Sequence, residues 1–183
     1  MQFDRVISVE MFEHMKNYEE LLRRVSSWLK DDGILFIHIL CHARYAYPFV
    51  AKEGSDTEWM AKNFFSGGTM PSADLLLYFQ KNVSVVDHWI INGSHYAKTL
   101  EAWLVKMDQQ RPEILKIFKD DQHRRVDVKV LSESQLQAEL ENYWRKWRTF
   151  FLYCAEVFNF RDGNEWLVAQ YLFSKSVLPS SKL

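Results

Sequence analysis

Residues 3–15, FDRVISVEMFEHM, join a strand-like run to an abrupt cluster of ionisable groups. Arg5 to Val9 are mostly apolar and β-branched, the composition of a strand buried on both faces in a parallel sheet. Glu10, Glu13 and His14 follow at once. In open α/β sheets ligands bind outside the carboxyl ends of the strands, so a carboxylate–imidazole cluster at that point is a candidate site. Taken alone, the same residues read equally well as a solvated turn opening the next helix.

Working outward, Asn17 is placed to cap a helix running to about Lys30, with Glu20 as its reciprocal partner. Leu21, Leu22, Val25, Trp28 and Leu29 fall at helical spacing and form its apolar face. Asp31-Asp32-Gly33 ends the helix, with Gly33 suited to a left-handed position. Ile34 to Leu40 reads as a second buried strand. Strand, helix, strand at this spacing is a right-handed βαβ unit, so the two strands are expected to be parallel neighbours. His38 lies near the carboxyl end of the second strand, on the same rim as Glu13.

Residues 43–82 carry no strand-like repeat and are rich in aromatics: Tyr45, Tyr47, Phe49, Trp59, Phe64 and Phe65. Gly67-Gly68 and Pro71 punctuate a loop, and Ser72 is placed to cap a short helix through Tyr78. Val83 to Ile91 reads as a third strand, followed by a turn at Asn92-Gly93. A helix from His95 to about Asp108 puts Tyr96, Leu100, Trp103, Leu104 and Met107 on one face. Pro112 starts a short helix, and the charged run Lys119–Lys129 reads as a mobile connection. Ser132 with Gln135 caps a long helix whose apolar stripe runs from Leu136 to Phe158. Glu165 to Ser174 is a closing strand, and Val177 to Leu183 is expected to fray.

The chain has 183 residues, 48% apolar and 15% aromatic, enough for one compact domain with a core. A net charge of −1 gives no electrostatic case for nucleic acid or an anionic membrane. Cys41 and Cys154 are far apart and form no CxxC, which fits a reducing, cytoplasmic compartment. The opening residues are polar, unlike a secretory leader, and no apolar run approaches the roughly 20 residues that span a bilayer. Among six glycines none forms a GxGxG turn after a strand.

Several segments carry a resemblance. FDRVISVEMFEHM (3–15), GILFIHI (33–39), FFSGGTMPSADLLLYFQ (64–80), VSVVDHWIINGSHYAKTLEAW (83–103), WRTFF (147–151) and EWLVAQYLFSK (165–175) occur in one family's order. The chain resembles the coclaurine-type N-methyltransferases and their relatives, the cyclopropane-fatty-acyl-phospholipid synthases. The run GGTMPSADLLLYFQ points to the alkaloid branch. The resemblance implies an α/β fold: the C-terminal part of a Rossmann-like class I methyltransferase sheet, roughly four strands, with a helical lid insertion. It implies that the chain starts at the family's fourth strand, as a truncated single domain over 1–183, with 43–82 and 95–158 mainly lid and cap helices. The last two strands should pair antiparallel. Residues 119–142 depart from the family, as an altered splice junction would produce.

The implied cofactor is S-adenosyl-L-methionine, whose main binding loop lies outside this chain, and the implied partner is a small-molecule amine. Methyl transfer to nitrogen needs an oriented lone pair and a proton acceptor. By resemblance Glu13 orients the amine and His14 is the general base. Glu10 is a nearby carboxylate, and Phe65 belongs to the substrate wall. Glu13, His38 and Tyr96 also match a bicarbonate site of the lipid synthases, so cyclopropanation of a lipid alkene is the rival chemistry. No metal is expected, because His38 and His42 on an extended strand do not converge on one centre. A third reading is a non-catalytic fragment that pairs with itself or aggregates through an uncovered apolar sheet edge.

Overall fold

The computed structural model describes residues 1–50, 52–54, 58–65, 67–124 and 132–176, with only the backbone at 122–124. The segments 125–129 and 177–183, expected to be mobile, lie outside the described residues. The chain divides into two compact units, a sheet unit (1–93 and 160 onward) and a helical unit (94–159).

The sheet unit begins with β1 (Phe3–Val9), a 3-10 turn (Phe12–His14), α1 (Tyr18–Trp28) and β2 (Leu29–His42). Two-residue strands β3 (Tyr47–Pro48) and β4 (Thr69–Met70) pair antiparallel and flank α2 (Glu58–Asn63). A second 3-10 turn (Leu75–Tyr78) precedes β5 (Val83–Ile91). The four-stranded sheet runs β1-β2-β6-β5, where β6 is the closing strand Trp166–Lys175. β1 and β2 are parallel, as a right-handed βαβ unit requires, and β6 is antiparallel to both β2 and β5.

The core forms where α1 covers the sheet: Leu22 and Val25 meet Leu35, Ile37, Ile39, Tyr171 and Phe173, all buried. Tyr171 satisfies its hydroxyl by donating to the Ala73 carbonyl at 2.7 Å. Trp28, expected on the apolar face of α1, is exposed because the helix ends beneath it and β2 starts one residue later.

Three further sequence expectations are corrected in this unit. β1 is not buried on both faces: it is an edge strand, with Ile7 69% and Val9 53% exposed. Gly33 does not end α1 in a left-handed turn. It sits inside β2, where residues 30–33 bulge between the Phe3↔Leu29 and Arg5↔Ile34 pairs. A Cβ at Gly33 would stand 3.0 Å from the Lys30 carbonyl oxygen, so close approach and not positive φ selects glycine. Ser72 does not cap the turn at Leu75; its hydroxyl donates to the Asp74 carboxylate at 2.6 Å.

The cap of α1 is present in half its expected form. Asn17 Oδ1 accepts the Glu20 N–H at 3.1 Å, but the Glu20 carboxylate turns outward to Arg23 (2.6 Å) and Arg24 (2.7 Å). Asn17→Ala is therefore expected to cost about 1 kcal/mol, read as a lowered urea midpoint. An unchanged midpoint would show that solvent replaces the cap.

The helical unit holds most of α3 (Gly93–Gln109), α4 (Arg111–Arg124) and most of α5 (Glu133–Gly163). Leu100, Met107, Leu140, Trp144 and Phe158 are among its buried residues, and Arg148 clamps Asp108 through two 2.7 Å hydrogen bonds. Trp103 is exposed. Ser132 and Gln135 make the expected reciprocal cap, at 2.9 and 3.3 Å. Lys119–Arg124, read as connection, continues α4, since the run contains neither Gly nor Pro and Lys, Gln and Arg have good helix propensity. The chain leaves α5 through left-handed backbone at Arg161, Asp162 and Gly163. Among the described residues no helix is long and apolar enough to cross a membrane.

Candidate active site

The site is built at the carboxyl end of β1. Glu10 takes a left-handed backbone, φ 51°, a conformation costing a non-glycine residue about 1–2 kcal/mol. Its N–H donates to the His38 carbonyl at 2.9 Å, which keeps β1 tied to β2 at the point where the chain turns. The 3-10 turn follows, closed by His14 N–H to the Met11 carbonyl at 3.2 Å. Phe12 anchors the turn: its ring stacks on Tyr18, and its carbonyl accepts the Tyr18 hydroxyl at 3.1 Å. With Phe12 held inward, the adjacent Glu13 is carried inside as well.

Glu13 is 2% exposed, and its Oε2 has no hydrogen-bond partner among the described residues. Its Oε1 lies 3.8 Å from Nε2 of His14, whose side chain is 53% exposed. Glu10 Oε1 is also buried without a hydrogen bond, 3.5 Å from His38 Nε2. The Gln170 amide donates to His38 Nδ1 at 3.1 Å, so the neutral ring carries its proton on Nε2, facing Glu10.

Burial sets the titration of these groups. Desolvation, reinforced by the nearby Glu13 charge, pushes the Glu10 carboxyl up to about 8. Desolvation likewise raises Glu13 and lowers His38. At neutral pH Glu10 is mostly a neutral acid. Buried Glu13 and partly buried Glu10 each have one carboxyl oxygen without a hydrogen bond and an imidazole nearby, an arrangement that favours a cation or an N–H donor.

Phe65 is brought to the same place, its ring stacked on His14 with centroids 5.9 Å apart and planes 14° from parallel. Glu10, Glu13, His14, His38 and Phe65 therefore gather in the sheet unit. Tyr96 belongs to the helical unit, where its ring stands edge-on to Phe158 and Trp103. His42, considered at first only as a metal ligand, is buried in a different network. Its Nε2 meets Glu165 Oε1 at 3.0 Å, and its Nδ1 accepts the Arg44 and Tyr45 N–H groups at 3.0 Å each. Among the described residues no group of three His, Cys, Asp or Glu is placed to hold a metal ion.

Residues 1–137 match the family model described as mycolic acid cyclopropane synthetase. The chain belongs to this family. Within it, the chain is 38% identical over 178 residues to an (S)-coclaurine N-methyltransferase of Papaver somniferum, covering 95% of this chain and 46% of that protein. It is 28% identical over 182 residues to the cyclopropane-fatty-acyl-phospholipid synthase of Escherichia coli K12, covering 96% of this chain and 38% of that one. The crystal structure of a coclaurine N-methyltransferase bound to N-methylheliamine and SAH superposes with a TM-score of 0.76 at 37% identity, over 95% of this chain and 47% of that chain. The expected mixed α/β architecture with a sheet of four strands is present, and its solved neighbours are class I methyltransferases. The chain spans about half the length of the curated relatives it matches.

Proposed function

We propose that this chain carries the amine-binding and proton-accepting residues of an S-adenosyl-L-methionine-dependent N-methyltransferase acting on a benzylisoquinoline-type amine. The observation that carries the reading is the pair of carboxyl groups, buried Glu13 beside His14 and partly buried Glu10 beside His38, each with one oxygen that makes no hydrogen bond. Greater identity to the coclaurine enzyme than to the lipid synthase supports the alkaloid branch. The Glu10 and Glu13 carboxyl groups would suit the positive charge of a sulfonium, but the glycines present include no GxGxG turn for its nucleotide part. When bound, S-adenosyl-L-methionine would supply an electrophilic methyl group.

The remaining chemistry falls to the chain's own residues. Glu13 holds an amine N–H by a charge-assisted hydrogen bond and fixes the direction of the lone pair. Glu10 ionises when a cation arrives, since the cation supplies the charge partner that burial removed. His14 takes the proton that the amine must lose, and its half-exposed ring returns it to solvent. His38, held by Gln170, keeps Glu10 in place. Protein partners and nucleic acid have no role in this scheme.

Glu13 and His38 each neighbour Glu10, which supports a second reading, in which a bound bicarbonate removes a proton during lipid cyclopropanation. One experiment separates the readings: titrate the chain with S-adenosyl-L-methionine by calorimetry, then supply benzylisoquinoline amines or unsaturated phospholipids and follow the labelled methyl carbon. Label on the amine nitrogen, lost in Glu13→Ala, supports the proposal. Label in a lipid ring would replace it with the synthase reading. Absence of both binding and transfer would make the chain a non-catalytic piece.

A further inference from the structure

Gly68 occupies a position where only a bare backbone fits. It is buried between β4 and the turn that carries Glu13, and its carbonyl accepts the Phe49 N–H at 2.9 Å. A Cβ there would lie 2.9 Å from the Glu13 carbonyl oxygen and 3.2 Å from Phe49 Cδ2. The first neighbour is backbone and cannot swing aside. It is also the peptide oxygen directly preceding His14, so displacing it tilts the imidazole. From the other side of this contact the rings run in series. Phe49 packs on Phe65 at 4.9 Å, and Phe65 lies nearly parallel to the His14 ring. The imidazole is thus backed by an aromatic face and directed along its edge toward Glu13, although half of its surface is open.

We propose that Gly68, Phe49 and Phe65 form a brace that positions the His14 imidazole for proton transfer, with Phe65 acting on the base and not on the substrate. This rests on the reading of His14 as proton acceptor given above. An exposed histidine has free rotation about both side-chain torsions unless something holds it. A nearly parallel ring restrains the imidazole plane, and the seat at Gly68 restrains the peptide from which it springs. Since Gly68 and Phe49 also hold β3 to β4, the hairpin and the base are one mechanical piece. A positioning role predicts effects on rate with little effect on substrate affinity.

The first test does not depend on turnover. In the full chain, ring-proton NMR signals of His14, assigned by their loss in His14→Gln, should be displaced upfield by the Phe65 ring current. Phe65→Leu should return them to the position of a free histidine, Phe65→Tyr should retain the displacement, and Gly68→Ala should move them without altering Phe65 itself. Unchanged His14 signals in Phe65→Leu would overturn the brace. With any amine that turns over, Phe65→Leu should lower kcat by about tenfold while KM stays within about twofold. A rise in KM at unchanged kcat would instead make Phe65 a substrate wall. If no amine is methylated, the reading of function fails while the NMR result still decides the brace.

Discussion

Glu13→Gln is expected to weaken binding of a protonated benzylisoquinoline amine by about tenfold and to cut its methylation by about a hundredfold. The replacement keeps the volume of a fully buried side chain and removes only its charge. An amide can still accept one N–H, but its NH2 group would face the ammonium that the carboxylate attracted. Glu10 cannot substitute fully, because burial holds it near 8 and the Glu13 charge is one cause of that shift. Removing the charge makes Glu10 easier to ionise, which limits the loss of affinity but not the loss of orientation. His14→Gln should differ in kind: affinity is kept while the rate falls, since His14 accepts a proton and does not anchor the amine. Calorimetric Kd values and single-turnover rates check both variants. An unchanged Kd in Glu13→Gln would remove Glu13 from the amine site.

What the sequence made legible was whatever depends on local pattern. β1, α1, β2 and β5 follow from composition and spacing, and Glu10, Glu13 and His14 are visible as charges that stop an apolar run. Most of the errors have a common physical origin, because they concern residues whose roles are set by something distant in the chain; Ser72, turned from its cap to Asp74, is the local exception. Gly33 reads as a helix end in its own neighbourhood, but the β2 bulge against β1 determines its use. Gly67-Gly68 reads as loop punctuation, but the Glu13 carbonyl makes Gly68 necessary. His42 has no local sign of Glu165, 123 residues away. Ile7 and Val9 compose a buried strand, yet the order β1-β2-β6-β5 leaves β1 on an edge. The left-handed backbone of Glu10 is invisible for a related reason: only a fold that over-determines the turn keeps a glutamate there.

The strain and burial at Glu10 lead to a pH effect on stability with a definite sign. Its carboxyl titrates near 4.5 when unfolded and near 8 in the folded chain. Between these values the folded chain holds a proton that the unfolded chain has lost, so stability falls as pH rises through the window. Glu13, also raised, acts in the same direction. His38 acts oppositely: its ring is lowered, so stability that depends on a neutral imidazole is lost as pH falls below about 6.5. Glu10→Gln removes the largest of these effects and leaves a neutral side chain of equal size. The variant should match the parent near pH 4.5 and exceed it at pH 8 by an amount on the order of a few kcal/mol, moderated by the 28% exposure of the Glu10 side chain. Urea midpoints across this range test it, and parallel curves for the two proteins would show that Glu10 ionises freely in the fold. A bound amine should reverse the sign, since a cation beside Glu10 favours the ionised form. Stabilisation of the parent by amine should therefore grow as pH rises through the window, and should lose that growth in Glu10→Gln. The same buried carboxyl that weakens the empty fold above neutral pH is then what makes the site selective for positive charge.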